Sequence, residues 1–409
     1  MTVTVRQLED AEFEDAEIAR GVMDLRVAAY DYDDPQFHHP EHYSHVYRWL
    51  RSHPLGDEMR RWAVFDGDTI VGHVAALPQY YRVGGQRVLA YSPGDYMVHP
   101  DYGFHALSLM RKYFRACENL VTCDMVPTVI QLERGMGAGE AGQMHYAAKL
   151  LNVSRLPSPP LPAPLERTLK KARSLGERSS STRSQEDRST ESLDENREQQ
   201  AQTTIRPRLP LPAPASTLMN RGLEAADKAL GAASGKSFKV ETVEEFDESF
   251  DRLLESVAAV VPCVAEKDAE FLRWRYGPES PQAPVTVLGV RGEEGLLGYA
   301  ALAVTSTGED GYILDLTTVP GRYDVARSLL REAVRFFRRE EVQIIRYRFL
   351  RSPTSPRSVD LWRLGFFFRS NKGNMFLVKF SDQRLHETAL SLDNWSYSLG
   401  DGELTFWLR

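Results

Sequence analysis

Hydrophobic and polar residues along this chain predict two series of elements that run in the same order. In the first series, apolar residues at helical spacing predict helices at 16–29, 42–51, 104–118 and 128–134. Alternation of apolar and polar residues predicts strands at 61–65, 69–76 and 120–125, and another that ends at Val98. In the second series, helices are predicted at 243–260, 268–276 and 325–337, and strands at 285–290, 296–305, 312–317 and 343–348. The repeated order indicates two similar domains.

Turn residues support this assignment in the first series. Asp66-Gly67-Asp68 and Val83-Gly84-Gly85-Gln86 predict hairpin turns, because glycine accepts the positive φ that tight turns require. Gly135 predicts the end of the short helix at 128–134.

The repeat is visible in individual residues. Segments 95–111 and 315–331 align without a gap at an offset of 220, and six of the 17 pairs are identical, where average composition gives about one. The identical pairs are Asp95/Asp315, Pro100/Pro320, Ala106/Ala326, Ser108/Ser328, Leu109/Leu329 and Arg111/Arg331. Arg48-Trp49 and Arg273-Trp274 precede the two hairpins at matching distances. We interpret the chain as a tandem duplication.

Composition places a linker between the copies. Residues 152–237 are rich in Pro, Ser, Glu, Arg and Gln and nearly free of aromatic residues, which predicts a disordered segment with a short helix near 218–233. The predicted domains are therefore 1–151 and 238–409, here called the first half and the second half. The proline-rich ends of the linker could recruit a protein partner.

Charge and cysteine content exclude several classes of protein. The formal net charge of −7 disfavours a nucleic-acid binder, and no stretch is long and apolar enough to predict a membrane span. The acidic first residues do not resemble a secretory signal, so we expect a cytoplasmic protein. Three cysteines without a CxxC pair predict neither disulfides nor a cysteine zinc site.

Four segments carry a resemblance to a known superfamily: DYMVHPDYG at 95–103, FLRWRYGPES at 271–280, LWRLGFFF at 361–368 and NWSYSLGDGE at 394–403. Together with the order of elements, they resemble tandem GNAT proteins of bacteria, some of them encoded among polysaccharide-assembly genes. The enhanced-intracellular-survival family is a second candidate. The resemblance implies an α/β (α+β) fold with two GNAT-like domains, each a mixed central sheet flanked by helices. It also implies acetyl-CoA or another acyl-CoA as co-substrate.

The resemblance places the cofactor where a strand meets the following helix. Backbone N–H groups and the positive end of a helix bind a pyrophosphate there, and a backbone N–H on the strand polarises the thioester carbonyl. In the second half this loop carries Asp324, whose charge repels a pyrophosphate, so the first half is the predicted site. The predicted cofactor-binding residues are Met97, Val98, His99, Tyr102, Gly103, Phe104, His105 and Ala106.

The acceptor amine must lose a proton, and three residues of the first half could accept it. Asp95 is the first choice for this base, with His99 and Glu133 as alternatives. Asp315 shares the position of Asp95 in the repeat, which favours a structural role for both. Many family members protonate the leaving thiolate with a tyrosine in the short helix after the last parallel strand. Neither copy has one, and Trp362 stands near that place in the second half.

Two further patterns have structural alternatives. His38, His39, His42 and His45 lie close together, but Pro40 interrupts the helix and no HExxH motif follows, so we predict no metal site. Arg48-Trp49 and Arg273-Trp274 could line an acceptor groove, although a tryptophan at helical spacing is more often part of a core.

The predicted function is acyl transfer, with acetyl-CoA as the default donor, to an amine of a small molecule or an amino sugar in the cytoplasm. A homodimer is left open. The alternative is a non-catalytic, degenerate GNAT protein that binds acyl-CoA or a protein partner. Transfer from aminoacyl-tRNA is disfavoured by the acidic balance.

Overall fold

A computed structural model of the chain describes residues 3–12, 14–30, 41–154, 213–232, 238–281, 284–293, 295–369 and 374–402. The chain forms two compact units, one of Met1–Leu151 with Ala225–Arg409 and one of Asn152–Glu224. Most of the predicted linker lies outside the described residues. Its predicted helix is present at Ala213–Ala232. In the smaller unit, the Asn220 side chain bonds the main-chain N–H of Val153 and the side chain of Asn152, each at 2.9 Å.

Within the described ranges the helices and strands are as follows. The α-helices, α1 to α10 in chain order, are Ala16–Tyr30, His42–Arg51, Ala106–Ala116, Pro127–Gly135, Ala213–Ala232, Glu248–Ala258, Ala269–Tyr276, Tyr323–Arg339, Ser358–Arg363 and Gln383–Ala389. Strands β1 to β9 are Val3–Gln7, Arg60–Asp66, Thr69–Val83, Gln86–Val98, Leu120–Asp124, Gly139–Gln143, His145–Leu150, Glu241–Thr242 and Cys263–Ala265. Strands β10 to β16 are Val285–Gly292, Gly295–Val304, Asp310–Thr318, Ile344–Phe349, Phe367–Phe368, Met375–Lys379 and Trp395–Ser396.

These elements form two mixed sheets flanked by helices, which confirms the predicted fold class. The first sheet has the order β1-β2-β3-β4-β5-β15-β6, and β9 joins it through β3. The second sheet has the order β14-β7-β13-β12-β11-β10-β8. Each sheet contains one central parallel pair, β4 with β5 and β12 with β13.

The two halves exchange strands. From the second half, β15 lies between β5 and β6, whereas from the first half β7 lies between β13 and β14. Every strand in these positions has hydrogen-bonded neighbours on both sides, so each sheet is completed by the other half. The division into domains at 151 and 238 therefore stays a prediction, because the sheets take strands from both sides of it.

Helices cover both faces of each sheet because each presents an apolar stripe. In the first sheet, α1 and α2 bury Val22 and Val46 on one face, while α3 buries Leu109 and Tyr113 on the other. In the second sheet, α8 covers one face, and α6 with α7 covers the other. Helix α6 begins later than predicted because the Asp247 side chain accepts the N–H of Ser249 and caps it there.

The hairpin turns match the predictions. Gly84 and Gly85 have φ of 57° and 81°, and Val83 pairs with Gln86, so a two-residue turn joins β3 to β4.

Among the described helices, none is long and apolar enough to cross a membrane.

Candidate active site

The parallel strands β4 and β5 separate toward their C-terminal ends. Tyr91 and Leu120 form the one ladder pair between these strands, and the Ser92 hydroxyl donates to the carbonyl of Val121 at 2.7 Å. Beyond that point β4 and β5 have no further ladder pair, and we call the place where they separate the first crevice. It lies between residues 92–98 of β4 and 121–124 of β5. The carboxyl ends of parallel strands are where α/β proteins commonly bind ligands.

A bulge in β4 lies beside the first crevice. The register between β3 and β4 shifts between His73 and Ala75, and Asp95 has φ of 49°, a left-handed conformation that non-glycine residues seldom adopt. The matching strand β12 has a register shift opposite Ala301 and Leu302. The two halves therefore each have a bulge at neighbouring positions of the repeat.

Asp95 is held in a buried polar network. Its carboxylate accepts from Arg26 at 2.8 Å, and 1% of its side chain is exposed. Its carbonyl contacts Nδ1 of His73 at 3.0 Å, while Nε2 of His73 accepts from Arg61 at 3.1 Å. Because a guanidinium only donates, His73 carries its proton on Nδ1. Burial, and then the charge of Arg61, hold the pKa of His73 well below its usual range.

Successive N–H groups of β4 point to opposite edges of the strand. The N–H of His99 donates to the carbonyl of Val71 at 2.9 Å, so it faces β3. The N–H of Val98 therefore faces the first crevice. Among the predicted residues Met97, Val98 and His99, this orientation is found at Val98.

The loop after β4 forms a 3-10 helix, Pro100–His105, before α3 begins at Ala106. The His99 ring accepts from the N–H of Asp101 at 3.3 Å, and the Tyr102 hydroxyl donates to Asp66 at 2.5 Å. A Cβ built on Gly103 would meet no atom within 4 Å, and 72% of Phe104 is exposed. This loop thus presents an open surface at the start of α3.

Glu133 lies on α4 and is buried against β5. The hydroxyl of Thr122 donates to its Oε2 at 3.1 Å, and Oε1 has no hydrogen-bond partner among the described residues. Burial, and then the nearby charge of Asp124, raise the pKa of Glu133 to about 8. A carboxyl group with this pKa changes its protonation state close to neutral pH.

Tyr96, next to the bulge, was not among the predicted site residues. Its hydroxyl donates to the carbonyl of Ala106 at 3.1 Å, across from β4 to the first turn of α3. Burial, and then the charge of Glu133, raise the pKa of this phenol. The family pattern places a tyrosine in the helix after β5, whereas Tyr96 lies in β4, where the bulge at Asp95 interrupts the alternation of the strand.

The histidine pattern is only partly described. His38 and His39 lie outside the described residues, and the Nε2 atom of His45 is 3.3 Å from the carbonyl of Glu279. Within the described ranges, no group of three or more His, Cys, Asp or Glu side chains is arranged to hold a metal ion.

Comparison with known proteins agrees with this geometry. Residues 5–119 match the family of acetyltransferase (GNAT) domains, and this range includes all of β4, the loop and α3. The matched segment is a GNAT-type domain, and this match supports acyl transfer as the general chemistry. A comparison with curated protein sequences gave no match.

Solved structures share the GNAT fold across most of the chain. A GCN5-related N-acetyltransferase from Anabaena variabilis is 10% identical, with a TM-score of 0.50, and the match covers 93% of this chain and 73% of that one. N-myristoyltransferase from Saccharomyces cerevisiae, solved with bound myristoyl-CoA and inhibitors, is 12% identical with a TM-score of 0.52, covering 93% and 80%. At these identities the similarity concerns the fold alone.

Proposed function

We propose that this GNAT protein is an acyl-CoA-dependent N-acyltransferase whose active site is the first crevice. The acceptor is an amine of a small molecule or an amino sugar, and acetyl-CoA is the default donor. The observation that carries the proposal is the buried Glu133 carboxyl, with a pKa of about 8, beside the separated strands.

The loop and β4 supply the parts that an acyl-CoA requires. The pyrophosphate lies at the open surface from Tyr102 to Ala106, where a helix N-terminus favours negative charge. The N–H of Val98 polarises the thioester carbonyl and stabilises the oxyanion that develops on it. The bound myristoyl-CoA of the yeast relative supports an acyl-CoA as co-substrate.

Glu133 is the proton acceptor that the geometry favours. Asp95 is committed to Arg26 in a buried ion pair, and His99 accepts from its own loop, whereas Oε1 of Glu133 has no partner among the described residues. The amine nitrogen attacks the thioester carbon, the C–N bond forms and the C–S bond breaks. The amine proton passes to Glu133, directly or through water, and the thiolate takes a proton from water.

A coupled measurement of binding and turnover tests this function. Release of free thiol from acetyl-CoA is followed over a panel of amines and amino sugars, with acetyl-CoA binding measured in parallel by calorimetry. Glu133→Gln is expected to keep the affinity for acetyl-CoA within about twofold of the wild-type value and to lower turnover by about 10²–10⁴-fold. Glu140→Gln, on the neighbouring strand β6, is the control. Unchanged turnover in Glu133→Gln would exclude it as the base, and no binding by the wild-type chain would exclude the acyltransferase.

A non-catalytic role is the second candidate. It is favoured by the sequence of α4, which offers no tyrosine at 127–135 to protonate a thiolate. Acetyl-CoA binding without turnover on any amine in the panel would support it. A cytoplasmic location, a homodimer and a protein partner at the linker remain predictions.

A further inference from the structure

The second half contains a counterpart of the first crevice. Strands β12 and β13 pair in parallel from Asp310 with Ile344 to Ile313 with Tyr347 and then separate. We call the space beyond these pairs the second crevice. It corresponds to the first through the repeat, since Asp315 occupies the position of Asp95.

Residues of the same chain fill the second crevice. The segment Trp395–Gly402, here the C-terminal segment, hydrogen-bonds β13 through the N–H of Leu350 and the carbonyl of Tyr397 at 2.8 Å. Ser398 forms a bridge with Phe349. On the other side, a Cβ built on Gly400 would lie 3.1 Å from the carbonyl oxygen of Leu314 in β12. The segment therefore lies between the two separated strands.

Buried charges hold the C-terminal segment in place. Lys267 pairs with Asp315 at 2.8 Å and with Asp401 at 2.7 Å, and none of these three side chains is more than 5% exposed. Ser398 donates to Asp315 at 3.2 Å and caps the short helix that contains Asp401. Withdrawal of the segment would separate Asp401 from Lys267 in a buried site, which is strongly unfavourable.

The anion-binding place of the second half is also occupied. At the end of β12, the N–H of Thr318, which matches Val98 in the repeat, donates to the carbonyl of Thr354 at 3.2 Å. In the loop that follows, the N–H of Gly321 donates to the carbonyl of Pro353 at 2.8 Å. The Asp324 carboxylate, in the first turn of α8, accepts from the N–H of Val325 at 3.0 Å. The donor that matches Val98 and donors of the following loop thus have partners inside the protein.

We propose that the C-terminal segment, together with Pro353 and Thr354, takes the places of the acyl thioester and the pyrophosphate in the second half, so that each chain binds one acyl-CoA. This inference rests on the proposed function of the first crevice. The second half then supplies β15 to the sheet that carries the site and contributes no cofactor site of its own.

Two measurements on the full-length chain test it. Equilibrium dialysis with labelled acetyl-CoA is expected to give one molecule per chain. Hydrogen exchange is expected to show slow exchange at Leu350 and Ser398. Gly400→Ala, whose new Cβ would lie 2.1 Å from the Tyr276 hydroxyl, should accelerate both amides at least tenfold. Gly222→Ala, where a Cβ meets nothing within 4 Å, is the matched control.

The outcomes separate the two proposals. Two molecules per chain, or fast exchange at Leu350 and Ser398 in the wild type, would overturn the occupied second crevice. If Gly400→Ala fails to fold, Ser398→Ala removes the bond to Asp315 without adding volume and should accelerate exchange at Leu350. Absence of any acetyl-CoA binding would overturn the proposed function, while the exchange rates would still decide whether the segment fills the second crevice.

Discussion

Trp49 and Trp274 stack face to face, with ring centroids 4.4 Å apart and planes 5° apart. Each indole N–H donates to the carbonyl of the other residue, at 2.9 Å and 2.8 Å. The residues lie on α2 and α7, which are equivalent helices of the two halves. The repeated Arg-Trp pairs thus meet each other, and the reciprocal bonds relate the halves by an approximate two-fold axis.

This stack predicts a coupled loss of stability. Trp49→Ala and Trp274→Ala should each lower the free energy of unfolding by about 3–5 kcal/mol, because each removes a large packed ring and the indole N–H that donates to the carbonyl of the other residue. The double variant should lose less than the sum, as expected for residues in contact. Urea denaturation measures all three. Trp362→Ala, at a side chain that is 74% exposed, is the control and should change stability by about 0.5 kcal/mol or less. Additive losses would argue against the coupling.

The exchanged strands predict that the halves depend on each other. A chain cut at a protease site engineered between residues 155 and 212 should stay associated, because β15 has partners on both sides in the first sheet and β7 has them in the second. Size-exclusion chromatography of the cut chain should give one peak that contains both fragments. Separation into two folded fragments would show that each half completes its own sheet.

The loop after β4 predicts the effect of an added charge. Phe104 is equivalent to Asp324 in the repeat, so Phe104→Asp gives the first loop the acid that the second already has. Acetyl-CoA binding should weaken by about 1 kcal/mol, roughly fivefold, because the carboxylate opposes the pyrophosphate at a helix N-terminus. Calorimetry measures the affinity. Asp324→Asn should leave it unchanged, and a gain in affinity confined to that variant would place the site in the second half.

Glu133 predicts a dependence of stability on pH. Its pKa rises from a reference value of 4.5 to about 8 in the folded chain, so the folded state holds this proton more tightly than the unfolded state. The stabilisation of the folded state by this proton is complete below about pH 4.5 and is lost as the pH rises through 8. At about 1.4 kcal/mol per pKa unit, the loss has an upper limit of about 5 kcal/mol.

Glu133→Gln, which does not ionise, should therefore gain stability relative to the wild type between pH 5 and pH 9. Chemical denaturation at several pH values measures the difference. Glu140→Gln should follow the wild type. A constant difference between Glu133→Gln and the wild type across this range would contradict a raised pKa at Glu133.

Local pattern was enough to predict most elements and their duplication. The period of apolar residues identified α2 at its observed bounds, and the two glycines after Val83 identified the hairpin. The matches between 95–111 and 315–331 indicated two copies of one fold. These features depend on residues close together in the chain, where backbone preference and side-chain period act directly.

Tertiary structure decided which strands pair across the halves and what fills the second crevice. Nothing local distinguishes β15 as a partner of β5 instead of β13, because strand pairing is set by packing between residues far apart in the chain. The same holds for Glu133, whose raised pKa arises from burial and then from the charge of Asp124. It holds also for Asp401, which reaches Lys267 only in the folded chain. The order of residues yields the elements and the repeat, whereas contacts between distant residues determine the site.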